Sequence, residues 1–99
     1  ALAEDRSQLV GFLVWQETDF EAEVLQIAVL PSYQGQKIAT ALFDFLPADK
    51  EIFLEVRESN KPAMLFYKKE KFEEIARRKA YYHAPVEDAI VMKREIHER

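Results

Sequence analysis

The chain has 99 residues, of which 48% are hydrophobic, 12% aromatic and 32% charged, and this composition is typical of one folded globular domain rather than of a disordered chain. Fourteen basic and 18 acidic residues give a net charge of -4, which disfavours nonspecific nucleic-acid binding and is compatible with a basic peptide partner. The absence of cysteine excludes disulfides and thiol nucleophiles, and two isolated histidines, His83 and His97, do not make a metal site.

No apolar run approaches the roughly 18 residues of a membrane span, and the first five residues lack the basic and apolar regions of a signal peptide. We therefore expect residues 1–99 to form a single domain of a cytoplasmic protein. Neither a membrane nor nucleic acid is expected as a direct partner.

The first predicted elements are two antiparallel β-strands over residues 8–16 and 23–30, which are rich in Val, Leu, Ile and aromatic side chains. A loop over residues 31–37 follows. Apolar side chains then recur at helical spacing, which predicts an amphipathic helix that Pro47 ends. These side chains belong to Ile38, Ala41, Leu42, Phe45 and Leu46.

Residues 51–57 alternate between apolar and other side chains and predict a strand. Asn60 is a candidate N-cap and Pro62 suits a first helical turn, so a second helix is predicted from about residue 61. Two more strands are predicted over residues 72–82 and 86–96. The order β-β-α-β-α-β-β indicates an α+β domain with a mixed, mostly antiparallel sheet flanked by helices.

The unit over residues 26–46 is a candidate anion site, because a strand leads through a polar loop into a helix. Free N–H groups of a first helical turn and the helix dipole favour a phosphate or pyrophosphate, and Lys37 adds a positive charge. Any turn from a strand to a helix shares these features, so this segment alone leaves the question open.

A second candidate site joins Glu55, Asn60 and Tyr67. Asn60 and Tyr67 are seven residues apart, so they lie along one face of the predicted helix. Glu55 shares its strand face with Phe53, which would partly desolvate the carboxylate and suit it to act as a general base. The same three residues could equally be a helix cap, a core tyrosine and a solvated strand carboxylate.

Together these units resemble the Gcn5-related N-acetyltransferase (GNAT) superfamily, and within it the ribosomal-protein-alanine N-acetyltransferases of the RimI type. The resemblance runs from about Leu9 to Ile96. Four blocks carry it: VLQIAVLPSYQGQKIATALF, LEVRESNKPAMLFY, KKEKFEEIARRKAYY and EDAIVMKREI.

The resemblance implies transfer of an acetyl group from acetyl-CoA to the N-terminal α-amine of a protein, in the first instance a ribosomal protein, without a metal. It assigns proton removal from the amine to Glu55 and proton donation to the CoA thiolate to Tyr67. Tyr81 and Tyr82 are candidates for contact with the acceptor. The implied cofactor contacts are Ile27, Ala28 and Val29 with pantetheine, Gly35, Gln36, Lys37, Ile38, Ala39 and Thr40 with the pyrophosphate, and Asn60 with the pantetheine side.

The sequence departs from the family in three places. Lys37 stands where the family's loop has a glycine, and Glu70-Lys71-Phe72 replaces a Leu-Gly-Phe sequence. Family members also begin with a strand and two helices that would precede Ala1, so we expect a GNAT fold lacking those elements. Trimming explains this best, and a reduced relative that depends on self-association is the alternative.

Two other functions stay open. One is a GNAT enzyme that acetylates a small amine or a lysine side chain. The other is a noncatalytic module that binds CoA or another protein, which Lys37 and the expected lack of the front segment would favour.

Overall fold

A computed structural model describes residues 1–96 and contains the predicted order of elements with one further strand. The strands are β1 (Leu2–Asp5), β2 (Gln8–Glu17), β3 (Glu21–Val29), β4 (Glu51–Arg57), β5 (Glu73–His83) and β6 (Val86–Arg94). The helices are α1 (Ile38–Phe43) and α2 (Lys61–Lys69), and a 3-10 turn spans Pro31–Tyr33.

The described residues form a six-stranded sheet in the order β1-β2-β3-β4-β6-β5. All neighbours are antiparallel except β3 and β4, which are parallel because α1 connects them across one face of the sheet. The predicted mixed, mostly antiparallel sheet is therefore confirmed.

Strand β1 was not among the predicted elements. Its four residues, Leu-Ala-Glu-Asp, carry little apolar character of their own. They become a strand because they pair with β2, where Leu2 lies opposite Phe12 and Ala3 opposite Gly11. Pairing with a distant segment is a tertiary effect that the short segment does not encode.

The hydrophobic core lies between the sheet and the two helices. Ile52, Leu54 and Val56 alternate along β4 and are buried, as predicted from the sequence. They pack in one cluster with side chains of α1 and α2, so both helices cover the same face of the sheet. We call this the helix face, and we call the other the open face because neither helix covers it.

Helix α1 ends earlier than its apolar spacing predicts. The helix stops at Phe43, and two three-residue turns follow, in which the N–H groups of Phe45 and Leu46 donate to carbonyls three residues back. Leu46 is buried as expected, but Phe45 is 63% exposed. Hydrogen bonds of this three-residue type satisfy carbonyls at the end of a helix.

In the part of the chain that the structure describes, no helix is long and apolar enough to cross a membrane.

Candidate active site

The candidate site begins at a gap between two neighbouring strands. Strands β3 and β4 pair only over their first three residues, from Glu21 opposite Glu51 to Glu23 opposite Phe53. Beyond these pairs, β3 continues to Val29 and β4 to Arg57 without a shared ladder. The sheet therefore opens between the two strands.

A bulge in β3 accompanies this gap. Its pairing with β2 shifts between Val14 opposite Gln26 and Trp15 opposite Val24, so Leu25 is the extra residue. A bulge bends its strand and increases the local twist, which helps β3 to leave β4.

The backbone of β3 presents unpaired groups to the gap. The Leu13 N–H donates to the Ala1 carbonyl, and the Leu13 carbonyl accepts from the Ala1 amino group, both at 2.8 Å. Both backbone groups of Leu13 therefore point away from its β3 partner Ile27 and form no hydrogen bond with it. The alternation of an antiparallel ladder then directs the backbone groups of Ile27 and Val29 toward the gap and those of Ala28 toward β2. The Val29 carbonyl accepts the side-chain amide of Gln34 at 3.1 Å, which leaves the Val29 N–H facing the gap.

A cavity of about 690 Å³ lies beside the gap on the helix face. Every residue that the resemblance assigns to the cofactor lines this cavity except Gln36, whose side-chain amide donates to the Ser32 carbonyl. Those residues are Ile27, Ala28, Val29, Gly35, Lys37, Ile38, Ala39, Thr40 and Asn60.

Six lining residues were not predicted: Tyr33, Gln34, Pro62, Ala63, Phe66 and Lys69. The helical period could have found part of this set, because Ala63 lies three residues after Asn60, and Phe66 and Tyr67 lie one turn further on. Lys69 carried no such signal, since a lysine in a last helical turn is common for reasons of the helix dipole alone.

The charge of the cavity is opposite in sign to that of the chain. Its lining includes Lys37 and Lys69 and no aspartate or glutamate, whereas the whole chain carries -4. Lys37 has a left-handed backbone with φ of 62° immediately before α1, and Gly35 in the same loop has φ of 83°. Such a lining suits an anionic ligand.

Asn60 caps a helix and also lines the cavity. Its side-chain oxygen accepts the Ala63 N–H at 3.3 Å and so caps α2. The same residue lines the cavity, so its amide NH₂ is available for a ligand.

Tyr67 lies in the same cavity and is only 9% exposed. Its ring packs against Phe43 and Phe72 with centroids 6.0 and 6.2 Å apart. Burial raises the pKa of Tyr67 above its usual 10.0, with a smaller contribution from nearby Tyr82. A hydroxyl in this environment stays protonated at neutral pH and can donate a proton.

Glu55 lies on the other side of the sheet. Alternation along β4 puts Leu54 and Val56 under the helices and Glu55 on the open face, so it is not among the residues that line the cavity of Tyr67. Its side chain is 21% exposed, and Oε1 lies 2.6 Å from Nη1 of Arg78. Glu55 and Tyr67 therefore approach the gap from opposite faces.

Tyr81 and Tyr82 also lie outside the cavity. Their rings form an edge-to-face pair with centroids 5.3 Å apart, and Arg57, which belongs to the open face, stacks on Tyr82 at 4.3 Å. Burial, followed by the charge of Glu55, raises the pKa of Tyr82. Tyr82 thus stands close to Glu55, and neither tyrosine lines the cavity.

Residues 1–96 contain no cluster of three His, Cys, Asp or Glu side chains that could hold a metal ion. His83 ends β5, and His97 lies outside the described residues.

A family model for the acetyltransferase (GNAT) domain matches residues 1–74. A [ribosomal protein bS18]-alanine N-acetyltransferase of Haemophilus influenzae is 38% identical over 97 residues, which cover 89% of this chain and 66% of that protein. An N-alpha-acetyltransferase of Saccharolobus solfataricus is 39% identical over 83 residues, or 77% of this chain and 49% of that protein.

The fold comparison agrees with the sequence comparison. The crystal structure of the ribosomal-protein-S18-alanine N-acetyltransferase of Escherichia coli has a TM-score of 0.85 and 32% identity, covering 97% of this chain and 67% of the other. The chain thus spans about two thirds or less of the length of these relatives.

Proposed function

This chain belongs to the acetyltransferase (GNAT) family, and from that premise we propose that it moves an acetyl group from acetyl-CoA to the N-terminal α-amine of a protein. A ribosomal protein is the first acceptor to test, because the Haemophilus and Escherichia relatives are named for ribosomal protein S18. Such an acceptor would locate the reaction in the cytoplasm.

The parted strands β3 and β4 carry this proposal. A pantetheine arm that enters the gap would meet the free backbone groups of Ile27 and the N–H of Val29, as an added strand would. Ala28 would border the arm without hydrogen-bonding it, because alternation commits its backbone to β2 and turns its side chain to the face opposite Ile27 and Val29. Asn60 would bind the pantetheine through its free amide.

The phosphates of CoA would bind at the loop that leads into α1. Gly35, Lys37, Ile38, Ala39 and Thr40 line the cavity there, and Gln36 would contribute its backbone. Lys69 on α2 and Lys37 supply positive charge, and no carboxylate in the lining opposes it. Charge-assisted hydrogen bonds to phosphate are among the stronger interactions in proteins.

Bound acetyl-CoA supplies an acetyl thioester, and the chain's own residues handle the protons. A protein α-amine has a pKa of about 7.7 to 8.0 and attacks only when neutral. Glu55 accepts the proton that this amine gives up, as the C–N bond forms and the C–S bond breaks. Tyr67 donates a proton to the departing CoA thiolate.

The opposite placement of these two residues fits a direct transfer. The cofactor would enter from the helix face beside Tyr67, and the amine from the open face beside Glu55, Tyr81 and Tyr82. The two reactants would then meet in the gap. Holding them together removes an entropic cost that exceeds the contribution of either proton transfer.

The first experiment is isothermal titration of the chain with acetyl-CoA and with CoA, followed by mass spectrometry of alanine-starting peptides after incubation with acetyl-CoA. We expect binding to both nucleotides and an acetyl group on the peptide α-amine. Absence of binding at millimolar CoA contradicts the proposal.

The proton-transfer roles have their own test. Glu55→Gln and Tyr67→Phe should each lower kcat by about 100-fold while the Kd for CoA stays within about twofold. If both variants turn over like the wild type, Glu55 and Tyr67 do not have the roles assigned to them.

Two alternatives have distinct outcomes. Acetyl groups found on lysine side chains or on a small amine instead of the α-amine indicate a different acceptor class. Binding of CoA without turnover of any amine indicates a noncatalytic module, which Lys37 in place of the family's glycine favours.

We also propose that residues 1–99 act as one domain. The described part has a single core between the helices and the sheet. Its open face carries exposed apolar side chains, among them Val14 and Leu25 at 44% and 52%, which self-association could cover. Sedimentation equilibrium distinguishes a monomer from a dimer.

A further inference from the structure

A row of arginine and tyrosine side chains crosses the open face beside Glu55. Arg78 lies opposite Ala89, and Ala89 lies opposite Arg57, so both arginines share that face. Each stacks on one ring of the tyrosine pair: Arg78 on Tyr81 at 4.5 Å, and Arg57 on Tyr82 at 4.3 Å.

The strand geometry brings the two rings together. Consecutive strand residues normally project to opposite faces, but the pairing of β5 and β6 is irregular between Arg78 and Tyr82. Ala80, within this irregularity, has φ of 49°, and its N–H donates to Asp88 at 2.8 Å. This bend in β5 gives the two tyrosines their edge-to-face contact.

Arg78 is the member of this row that touches Glu55. One guanidinium nitrogen, Nη1, binds Oε1 of the carboxylate at 2.6 Å. Within residues 1–96, no hydrogen bond engages the second carboxylate oxygen, and the Glu55 side chain keeps 21% of its surface exposed. A single-point ion pair of this kind orients a carboxylate and leaves its other oxygen free to accept a proton.

We propose that Arg78 is a positioning residue of the acceptor site, which holds Glu55 at the gap with one edge of its guanidinium and supports Tyr81 with its face. The proposal rests on the proposed acetyltransferase function. Arg78 acts through Glu55. A planar guanidinium can stack its face on a ring while its edge binds a carboxylate, whereas a lysine ammonium is a point charge with no flat face to stack.

The test compares Arg78→Gln and Arg78→Lys with the wild type, using acetyl-CoA and an alanine-starting peptide. Arg78→Gln should lower kcat by about 10-fold and raise the peptide KM severalfold, because the base remains present but loosely held. The Kd for CoA should stay within about twofold. Arg78→Lys should recover part of kcat.

A double variant separates positioning from a general structural effect. In the Glu55→Gln background, Arg78→Gln should cause no further loss of kcat, since the side chain through which Arg78 acts is already neutral. The matched control is Arg77→Gln. Arg77 is the neighbouring residue and is also ion paired, but its partners are Glu58 and Asp88, so its loss should leave kcat unchanged.

Three results overturn this role. The first is a kcat for Arg78→Gln within twofold of wild type. The second is a kcat above wild type, which means that Arg78 blocks Glu55 instead of presenting it. The third is a loss of kcat on Arg78→Gln that is as large in the Glu55→Gln background as in the wild type. A wild-type chain that acetylates no amine contradicts the proposed function itself and removes this role with it.

Discussion

At the scale of single residues, the site depends on where the sheet and helices hold each ionisable group. Tyr67 is buried among aromatic rings on the helix face, and Glu55 is partly exposed on the open face beside Arg78. Helical spacing singled out Tyr67, and its position on a predicted strand singled out Glu55. Neither pattern indicated that the two residues reach the gap from opposite sides.

Because the folded-state pKa of Tyr67 is raised, its stabilising effect is fully present below about pH 10, the unfolded value, and is lost as the pH rises toward the folded value. We expect Tyr67→Phe to lessen the loss of stability above pH 10. Urea unfolding at pH 8 and at pH 10.5 measures this difference. Tyr67→Phe with the same alkaline loss as wild type argues against the buried, protonated hydroxyl.

Two lysines occupy left-handed backbone conformations that glycine adopts without cost: Lys37, with φ of 62°, and Lys71, with φ of 76°. Lys37→Gly should raise the free energy of unfolding by about 1 kcal/mol by relieving this strain. It should also weaken CoA binding, because the cavity loses one of its two ammonium groups.

Lys71→Gly is the control for this prediction, because Lys71 does not line the cavity. It should give a similar gain in stability with no change in the Kd for CoA. Denaturation in urea and calorimetric titration supply the two measurements. Equal or tighter CoA binding by Lys37→Gly would mean that the ammonium contributes nothing to phosphate binding.

At the scale of elements, the separation of β3 from β4 decides which backbone groups a ligand can use. Neighbouring residues of β3 differ in the direction of their N–H groups, because one side of the strand pairs with β2 and the other faces the gap. This alternation distinguishes Val29 from Ala28 even though both line the cavity.

Val29→Pro should therefore weaken CoA binding by about 10-fold with little loss of stability, since the missing N–H faces the gap. Ala28→Pro should instead destabilise the protein by about 3 kcal/mol, because it removes a hydrogen bond between β2 and β3. Titration with CoA and urea unfolding of both variants provide the comparison. A reversed pattern would show that the β3 backbone is turned the other way.

At the scale of the whole molecule, the sheet separates two regions of different chemistry. The helix face holds a cavity with two lysines and no carboxylate, and the open face holds Glu55, the paired tyrosines and their arginines. The gap between β3 and β4 is the connection between them. A ligand in that gap would join the two parts of the sheet and so stabilise the fold.

We expect CoA to stabilise the chain by about 2.7 kcal/mol at a concentration 100 times its Kd, because it binds the folded state alone. Pantetheine, which lacks the nucleotide, should bind more weakly and be insensitive to Lys37→Gly and to salt. Thermal unfolding over a series of ligand and salt concentrations tests both statements. Identical salt dependence for CoA and pantetheine would contradict binding of phosphate by the two lysines.

The sequence by itself determined the features that are encoded within short segments. Alternation along residues 51–57, the Asn60 cap and the spacing of Asn60 and Tyr67 each correspond to local backbone geometry, and the quoted blocks identified the family. The family resemblance, in turn, assigned residues to the cofactor, and all but one of them line the cavity.

Only the tertiary structure decided how these segments meet. The pairing that makes Leu2–Asp5 a strand, the loss of pairing after Glu23, and the contact of Arg78 with Glu55 all join residues far apart in the chain. Periodicity assigns a side chain to a face of its own element. Which other element covers that face, and which strand stands beside it, depends on the packing of the entire sheet.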